Sequence, residues 1–492
     1  MTTSMRAEIV APAVRVPASD EPARSLTQRV PFRGPPSPRG IEYAQLSGKL
    51  PAWLRGDLIR VAPWFDATPN WLASHWFDAA GIAFGFELND EAHVKLRWSA
   101  LDSAHRAAAV SGKIPMALFG TPNERSPLAR LCGPIPRMTD NTNVNVVRIG
   151  EELIAMTETA HQLRLDPDTL VVRGPVRYED RLTTHHALAH PQLHDEIVTG
   201  VVTKFGPRAE VTVYRHPSVS RRRKALACWK TAEWPYLHAF GLTEVTALII
   251  DHPLRMRPWR LLWSNRGIGE HLRWQPGTPT RLIALDLVTG AVRVHETDPL
   301  FCLHTVHAFE TREAIVFDLL AYEDASVLTQ LDLQSLTSGK SVENPQLLRL
   351  SIDRVTGAVA RHVLCDERFE VAQADWEYVR AHTREEQIVY GTEFWKDGKT
   401  MGNRILRVEL AGGATRSFCQ ADHLIGEPVF VGTPDRSVEG DGVLLVVGSS
   451  ERGSTLYVLD ATTLAVRAHA AFSTSLPLGF HGSFTPRGAL AG

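Results

Sequence analysis

Histidine is the one residue type in excess here, 20 among 492. Four of them, His190, His238, His304 and His481, recur with Glu370 and Glu427 in comparable settings: ALAHPQ, WPYLHAFGLTE, FCLHTVHAFE, PLGFHGSF, RFEVAQ and IGEPVFV. Five of the six stand about 17–24 residues beyond a polar turn, and His238 follows the basic hairpin YRHPSVSRRRK at a similar distance. Brought together without partners, four imidazoles and two carboxylates would be very costly to bury. A metal ion removes that cost. Neutral imidazoles favour Fe, Cu, Ni or Zn over Ca or Mg, which prefer oxygen. Zinc usually closes its tetrahedron with four ligands. Histidines from separate elements around an axis can instead leave two adjacent positions open on an octahedral ion, which suits Fe(II) that binds O2. A carboxylate beside such a ligand takes its second N–H and fixes its tautomer. The alternative is a scatter of turn histidines with no common role.

Something must position these residues, and the strand pattern supplies it. From about Leu46 onward, short β-branched segments such as VNVVRIG, EIVTGVVT, TALIID and GVLLVVG are bounded by Gly, Pro, Asp or Asn. Helical periodicity is confined to two stretches, one of them near 115–130. Four hairpins share a D-x-x-T signature at Asp166/Thr169, Asp286/Thr289, Asp353/Thr356 and Asp460/Thr463, and a degenerate copy lies near Glu409. Asp and Thr side chains bond nearby amides in tight turns, which accounts for their place there. A unit of roughly 50–67 residues follows, and the expected ordered chain holds about seven of them. The expected fold class is all-β, a seven-bladed propeller that closes on itself and hides its sheet edges, forming one domain over residues 36–492. If each turn lies at a blade's periphery, the chain next re-enters at the inner strand of the following blade. The polar residues at those points then converge on the axis.

The 53 Lys and Arg against 55 Asp and Glu leave a formal charge of −2, without the basic excess of a nucleic-acid binder. Five cysteines, far apart and never in C-x-x-C, argue against a disulfide framework or a zinc–thiolate site and for a reducing, cytoplasmic setting. Residues 1–35 have no apolar periodicity and are expected to form a disordered tail without a secretory signal. No apolar run is long enough to span a bilayer. In HPLRMRPWRLLWSNR, Leu254, Met256, Trp259, Leu261, Leu262 and Trp263 alternate with arginines, a mixture suited to peripheral membrane contact. The other reading is a buried loop with snorkelling arginines. The run Arg221–Lys224 reads as a solvated hairpin tip, and no obligate protein partner is indicated.

In these segments the chain resembles the carotenoid cleavage oxygenase family, which includes the retinal pigment epithelial membrane protein and lignostilbene dioxygenase. LSGKLPAWLRGDLIRVAPW, HWFDAAGIAFGFEL, DNTNVNVVRIGEELIAMTETAHQLRLDPDTL, EVAQADWEYVRAHTREEQIVYGT, GEPVFVGTPDRSVEGDGVLLVV and PLGFHGSF follow the family's blocks in order. The resemblance implies a seven-bladed propeller with a helical cap, and one Fe(2+) on its axis held by His190, His238, His304 and His481. It implies that Glu158, Glu370 and Glu427 orient these ligands. Of the three, only Glu158 escapes the spacing argument. Thr157 matches a threonine whose methyl group obstructs an otherwise vacant iron position. Trp234, Tyr236 and Phe480, adjacent to ligands, are expected to line the pocket, and Val371 replaces a common Phe and widens one wall. The implied reaction inserts O2 across an electron-rich C=C bond of an apolar polyene, giving two carbonyl products.

The chain departs from the family pattern in several places. R-N-G-P becomes Arg60-Val61-Ala62-Pro63, read as a structural turn, and F-D-G becomes Phe77-Asp78-Ala79. The third ligand block reads His304-Thr305-Val306-His307-Ala308, so His307 rivals His304, which is favoured by its F-x-x-H position. His185 and His186 are expected to line the loop before His190. One alternative is cleavage of a stilbene-like phenylpropanoid, although the tyrosine and lysine that hold the phenol in that branch fall on Leu96 and Thr121. A more distant one is a propeller hydrolase or lactonase, which needs carboxylate and amide ligands around Ca2+. No convergent Asp/Asn set is visible at the blade starts.

Overall fold

Each D-x-x-T hairpin closes through its aspartate. Asp166 Oδ1 accepts from the amides of Asp168 and Thr169 at 3.0 and 2.8 Å, and Asp286, Asp353 and Asp460 do the same for their own turns. The residue four places after the acid sits at positive φ in all five copies: Leu170, Gly290, Gly357, Gly413 and Leu464, at 60–75°. Its amide returns to the carbonyl of the acidic residue at 2.8–3.1 Å. The Glu409 copy keeps this loop without the carboxylate contacts.

The computed structural model describes residues 32, 34–65, 73–89, 92–113, 115–124, 126–132, 137–256, 260, 264–338, 342–382, 387–396, 399–420 and 423–487. Five sheets of four or five strands occupy 145–175, 186–231, 240–297, 301–368 and 370–419. A ten-stranded sheet holds two more blades. One spans 424–472. The other takes its innermost strand, Gly482–Pro486, from the far end of the chain and pairs it with Gly56–Trp64. Strand Arg39–Gly48 joins the two blades at their outer edges, pairing with His93–Ala100 and then with Val466–Phe472. The recurrent turns connect the third strand of a blade to its outermost one.

Alternation along each strand leaves apolar side chains on both blade faces, and neighbouring blades bury them against each other. An apolar cluster lies at every blade junction, from Ile154–Ala189–Val198 between the first two sheets to Val61–Val146–Leu165 across the closure. Seven junctions make a closed seven-bladed propeller. Arg487, just beyond the closing strand, pairs with Asp57 at 2.7 Å and fastens the chain's two ends.

A further cluster caps one end, built from Phe65, Trp76, the helices Val327–Gln330 and Leu333–Ser338, and a three-stranded sheet formed by Trp234–Pro235, Leu254–Met256 and Leu272–Trp274. Three sequence expectations are corrected here. The stretch 115–124 is not helical; the helices are Ala104–Ser111 and Pro127–Cys132 on either side. Asp78 takes the amides of Phe119, Gly120 and Thr121 at 2.7–2.8 Å, so these N–H groups need no helical partners. Phe32, inside the expected tail, is buried and packs edge-on against Phe65 and Trp76. Arg223 is no solvated tip residue: it pairs with Asp180 and lies 4.0 Å over the Tyr178 ring. Residues 1–31 lie outside the described residues. Among the described residues, no helix is long and apolar enough to cross a membrane.

Candidate metal centre

The inner strands deliver the histidines from different blades. His190 follows strand His186–Ala187, His238 precedes Phe240–Leu242, His304 lies within Phe301–Glu310, and His481 immediately precedes Gly482–Pro486. Their ligand atoms all lie within 4.8 Å of one another. The Nε2 atoms of His190 and His238 are 3.2 Å apart, those of His238 and His304 3.2 Å, and those of His304 and His481 3.1 Å. His304 sits at an irregularity between Cys302 and Thr305, where the register with the next strand shifts. Such a bulge re-aims a side chain, here from the blade face to the axis. His307 lies elsewhere: its Nδ1 meets the amide of Gln387, and its ring stacks on Phe309.

Three carboxylates back three of the imidazoles. Glu158 Oε1 lies 2.5 Å from His238 Nδ1, Glu370 Oε2 2.6 Å from His304 Nδ1, and Glu427 Oε1 2.8 Å from His481 Nδ1. A carboxylate only accepts, so each Nδ1 carries the proton and each Nε2 points a lone pair inward. Lone pairs 3.1–3.2 Å apart repel, yet that spacing falls within the ~2.8–3.4 Å expected, from octahedral to tetrahedral, between neighbouring donors around one ion at ~2.0–2.1 Å from each. The donor set therefore fits a metal ion and little else.

The carboxylates are themselves held. Glu370 Oε1 accepts from the Tyr322 hydroxyl at 2.7 Å and Oε2 from the Val371 amide at 2.8 Å. That amide is aimed by an unusual backbone, because β-branched Val371 sits at φ 47° next to a second register shift. Glu427 accepts from Gln373 at 3.0 Å, and Arg60, 1% exposed, lies 3.6 Å from its other oxygen and donates to its carbonyl at 2.8 Å. Arg60, expected in a turn, lies instead within strand Gly56–Trp64 and braces this glutamate. Burial opposes ionisation of Glu158, Glu370 and Glu427, but the imidazoles beside them hold all three below the usual carboxylate range. Burial also lowers His190 well below the ordinary imidazole value, with His481 and the other two rings adding to it. For His304 burial acts in the same sense but Glu370 outweighs it, and the pKa is raised.

A cavity of ≈ 200 Å³ opens onto this cluster. Thr157, Trp234, Tyr236, Val371 and Phe480 all line it. Trp234 stacks on Phe205 at 4.2 Å and donates to the Gly206 carbonyl, while Phe480 meets Trp76 at 4.8 Å. Leu254 and Met256 are buried, and Met256 faces the cavity, so neither forms a surface patch. Trp259, Leu261, Leu262 and Trp263 lie outside the described residues. Leu96 packs at a junction between two blades and Thr121 bonds Asp78; neither lines the cavity, so they say nothing about a phenol. Sequence spacing missed Glu158 because it follows the end of a second strand: Asn145 pairs with Met156, which returns the chain to the level where the inner strand begins. Tyr322, Gln373, Arg60 and His186, which faces the cavity, carried no such signal.

Residues 35–486 match the profile of the retinal pigment epithelial membrane protein family. The carotenoid isomerooxygenase of Galleria mellonella is 25% identical over 486 residues, covering 90% of this chain and 93% of that protein. The β,β-carotene 15,15'-dioxygenase of Mus musculus is 24% identical over 512 residues, covering 90% and 89%. Among solved structures, a variant of the Synechocystis apocarotenoid oxygenase superposes with a TM-score of 0.82 at 20% identity, over 95% of this chain and 99% of that one. The cobalt-substituted form of that enzyme gives 0.82 at 21% identity, over 94% and 99%. At such identities the superposition establishes the fold, while the match to the family profile covers most of the sequence. The chain belongs to the retinal pigment epithelial membrane protein family, that of the carotenoid-cleaving oxygenases.

Proposed function

We propose that this chain is a non-haem Fe(II)- and O2-dependent dioxygenase that cleaves a C=C bond of a carotenoid or apocarotenoid. One observation carries the reading: four imidazoles converge, and the three of them backed by carboxylates, His238, His304 and His481, line one apolar cavity. His190, His238, His304 and His481 would hold the iron, and Fe(II) bound there supplies activation of O2. The reaction balances without a reductant, since the C=C bond breaks and each carbon takes one oxygen atom. Glu158, Glu370 and Glu427 keep the Nδ1 protons in place and the rings oriented. Thr157, 7% exposed and beside Glu158, narrows one approach to the cluster. Trp76, Phe77, Tyr236 and Phe480 offer flat apolar walls to a conjugated chain and exclude water from it. The relatives' names and the cobalt-substituted neighbour support a metal-dependent cleavage of such substrates.

The test is to purify the protein aerobically, measure bound metal, and supply β-carotene, an apocarotenal and resveratrol with O2. Iron in the protein and carbonyl products from a polyene are expected, both lost in His238→Ala and His481→Ala. Unchanged activity in those variants refutes the proposal, turnover of resveratrol alone moves it to stilbenes, and a calcium requirement moves it to a hydrolase. A membrane-dissolved substrate also needs a docking face. Helix Pro127–Cys132 exposes Leu128 and Leu131 at 69% and 72%, and the Asn123 amide donates to the Asn265 carbonyl at 2.7 Å. That bond ties the chain just ahead of the helix to residue 265. Replacing Leu128, Leu131, Trp259 and Trp263 by Ser should slow turnover from liposomes but not from detergent; equal loss in both would refute the docking.

A further inference from the structure

One group on the cavity wall has no part in the cleavage chemistry. His186 lies in the short strand His186–Ala187, held by pairing with Thr203 and Val202, and its imidazole lines the cavity. Its neighbour His185 is committed, with Nδ1 accepting from the Phe205 amide at 2.9 Å. No side-chain hydrogen bond to His186 occurs among the described residues. Much of the polar lining is already satisfied: Asp78 by loop amides, Asn143 by the carbonyls of Phe77 and Ala79, Tyr322 by Glu370. Tyr236 is another exception. It is 9% exposed, and among the described residues its buried hydroxyl has no partner. Tyr236 and His186 line the same cavity as Glu158 and the cluster histidines His238, His304 and His481.

An imidazole offers one N–H and one lone pair, and a phenol offers a donor and an acceptor. Left unpaired in an apolar chamber, such groups cost free energy that a ligand with a matching atom recovers. A hydrocarbon polyene has no such atom; a polyene bearing a hydroxyl or carbonyl does. Building on the dioxygenase reading, we propose that His186 is a specificity-determining residue that hydrogen-bonds a hydroxyl or carbonyl oxygen of the substrate. The chain then acts on oxygenated apocarotenoids in preference to carotene hydrocarbons. Tyr236 supplies the neighbouring hydroxyl. Because both flank the metal cluster, the captured oxygen also sets which double bond lies at the reacting position.

The experiment compares wild type, His186→Phe and His186→Gln on two substrates, an apocarotenal and β-carotene. The ratio of their kcat/KM values is expected to favour the apocarotenal in wild type, to fall about tenfold in His186→Phe, and to recover in part in His186→Gln, which keeps a donor and an acceptor. Anaerobic binding, read by quenching of Trp76 and Trp234 emission, should weaken for the apocarotenal in His186→Phe with bound metal unchanged. A wild-type preference for β-carotene, or an unchanged ratio in His186→Phe, overturns the proposal. If the wild type cleaves neither substrate, the dioxygenase reading fails. The binding titration then still decides the role of His186, because equal apocarotenal affinity in wild type and His186→Phe overturns it.

Discussion

Glu370 separates the charge of a supporting carboxylate from its hydrogen bonds. Its Oε2 accepts from His304 Nδ1 and the Val371 amide, and its Oε1 from the Tyr322 hydroxyl. In Glu370→Gln, the amide oxygen placed at Oε2 keeps both N–H donors. The new NH2 group faces Tyr322, whose hydroxyl turns to accept. The number of hydrogen bonds is unchanged and only the negative charge is gone. Loss of such support typically weakens metal binding about 10–100-fold, or ~1.4–2.7 kcal/mol. Glu370→Ala differs because it leaves the Tyr322 hydroxyl and the Val371 amide buried without partners. That adds about 1–3 kcal/mol of destabilisation for each group, whether or not metal is present. Chelator-stripped proteins would be titrated anaerobically with Co(II) against a competing chelator, and their urea midpoints measured without metal. The expectation is a weaker but foldable Gln variant and an unstable Ala variant. Wild-type Co(II) affinity in Glu370→Gln would show that the carboxylate's charge does not support the ligand. A stripped Gln variant as unstable as the Ala variant would refute the exchange of hydrogen bonds.

Burial, with Arg349 and Arg380 adding to it, lowers His307 to about 3. The unfolded chain takes up this proton below about 6.5, so His307 stabilises nothing above that pH and costs stability as pH falls from 6.5 toward 3. The loss is on the order of 2 kcal/mol by pH 5. His307→Gln should therefore lose less stability than wild type between pH 7.5 and 5 and keep its metal, whereas His304→Gln should lose the metal; parallel urea curves or metal loss in His307→Gln would contradict this. Leu464 pays a left-handed backbone conformation while its side chain is 4% exposed among Leu444, Val446 and Leu459. Leu464→Gly relieves ~1–2 kcal/mol of backbone cost but forfeits a buried side chain worth ~2–5 kcal/mol, so its Tm should fall. A rise in Tm would mean that backbone strain outweighs packing at these turns.

The parts of the fold legible in the sequence are those written locally. An aspartate that caps its own turn within three residues leaves a D-x-x-T mark, and four such marks with one worn copy are enough to count blades. His190, His304 and His481 are findable for the same reason, since a repeating chain enters each inner strand at a similar distance from the last turn. What the repeat does not encode is departure from the repeat. His304 reaches the axis through a shift at Cys302–Thr305, and Glu370 gains the Val371 amide through a second shift and a positive φ. Neither leaves a glycine to announce it.

The unseen supports share a second property: they act across the chain rather than along it. Glu158 backs His238 from 80 residues away, Tyr322 braces Glu370 from 48, and Arg60 reaches the Glu427 carbonyl from 367. Arg60 belongs to the strand that pairs with Gly482–Pro486, and His481 stands directly before that closing strand. One histidine of the cluster therefore takes up its place only when the N-terminal and C-terminal segments meet. Closing the ring and completing the histidine cluster are one structural event, and this is why a glutamate, an arginine and a histidine from three distant parts of the sequence meet with so little room for change: Arg60, Glu427 and His481 are 1%, 2% and 8% exposed. A buried carboxylate and guanidinium in such a place stabilise the fold only as partners, since removing either leaves the other's charge uncompensated. The sequence around each residue looks like an ordinary strand or strand end, because the constraint lies in the closure and not in the local pattern.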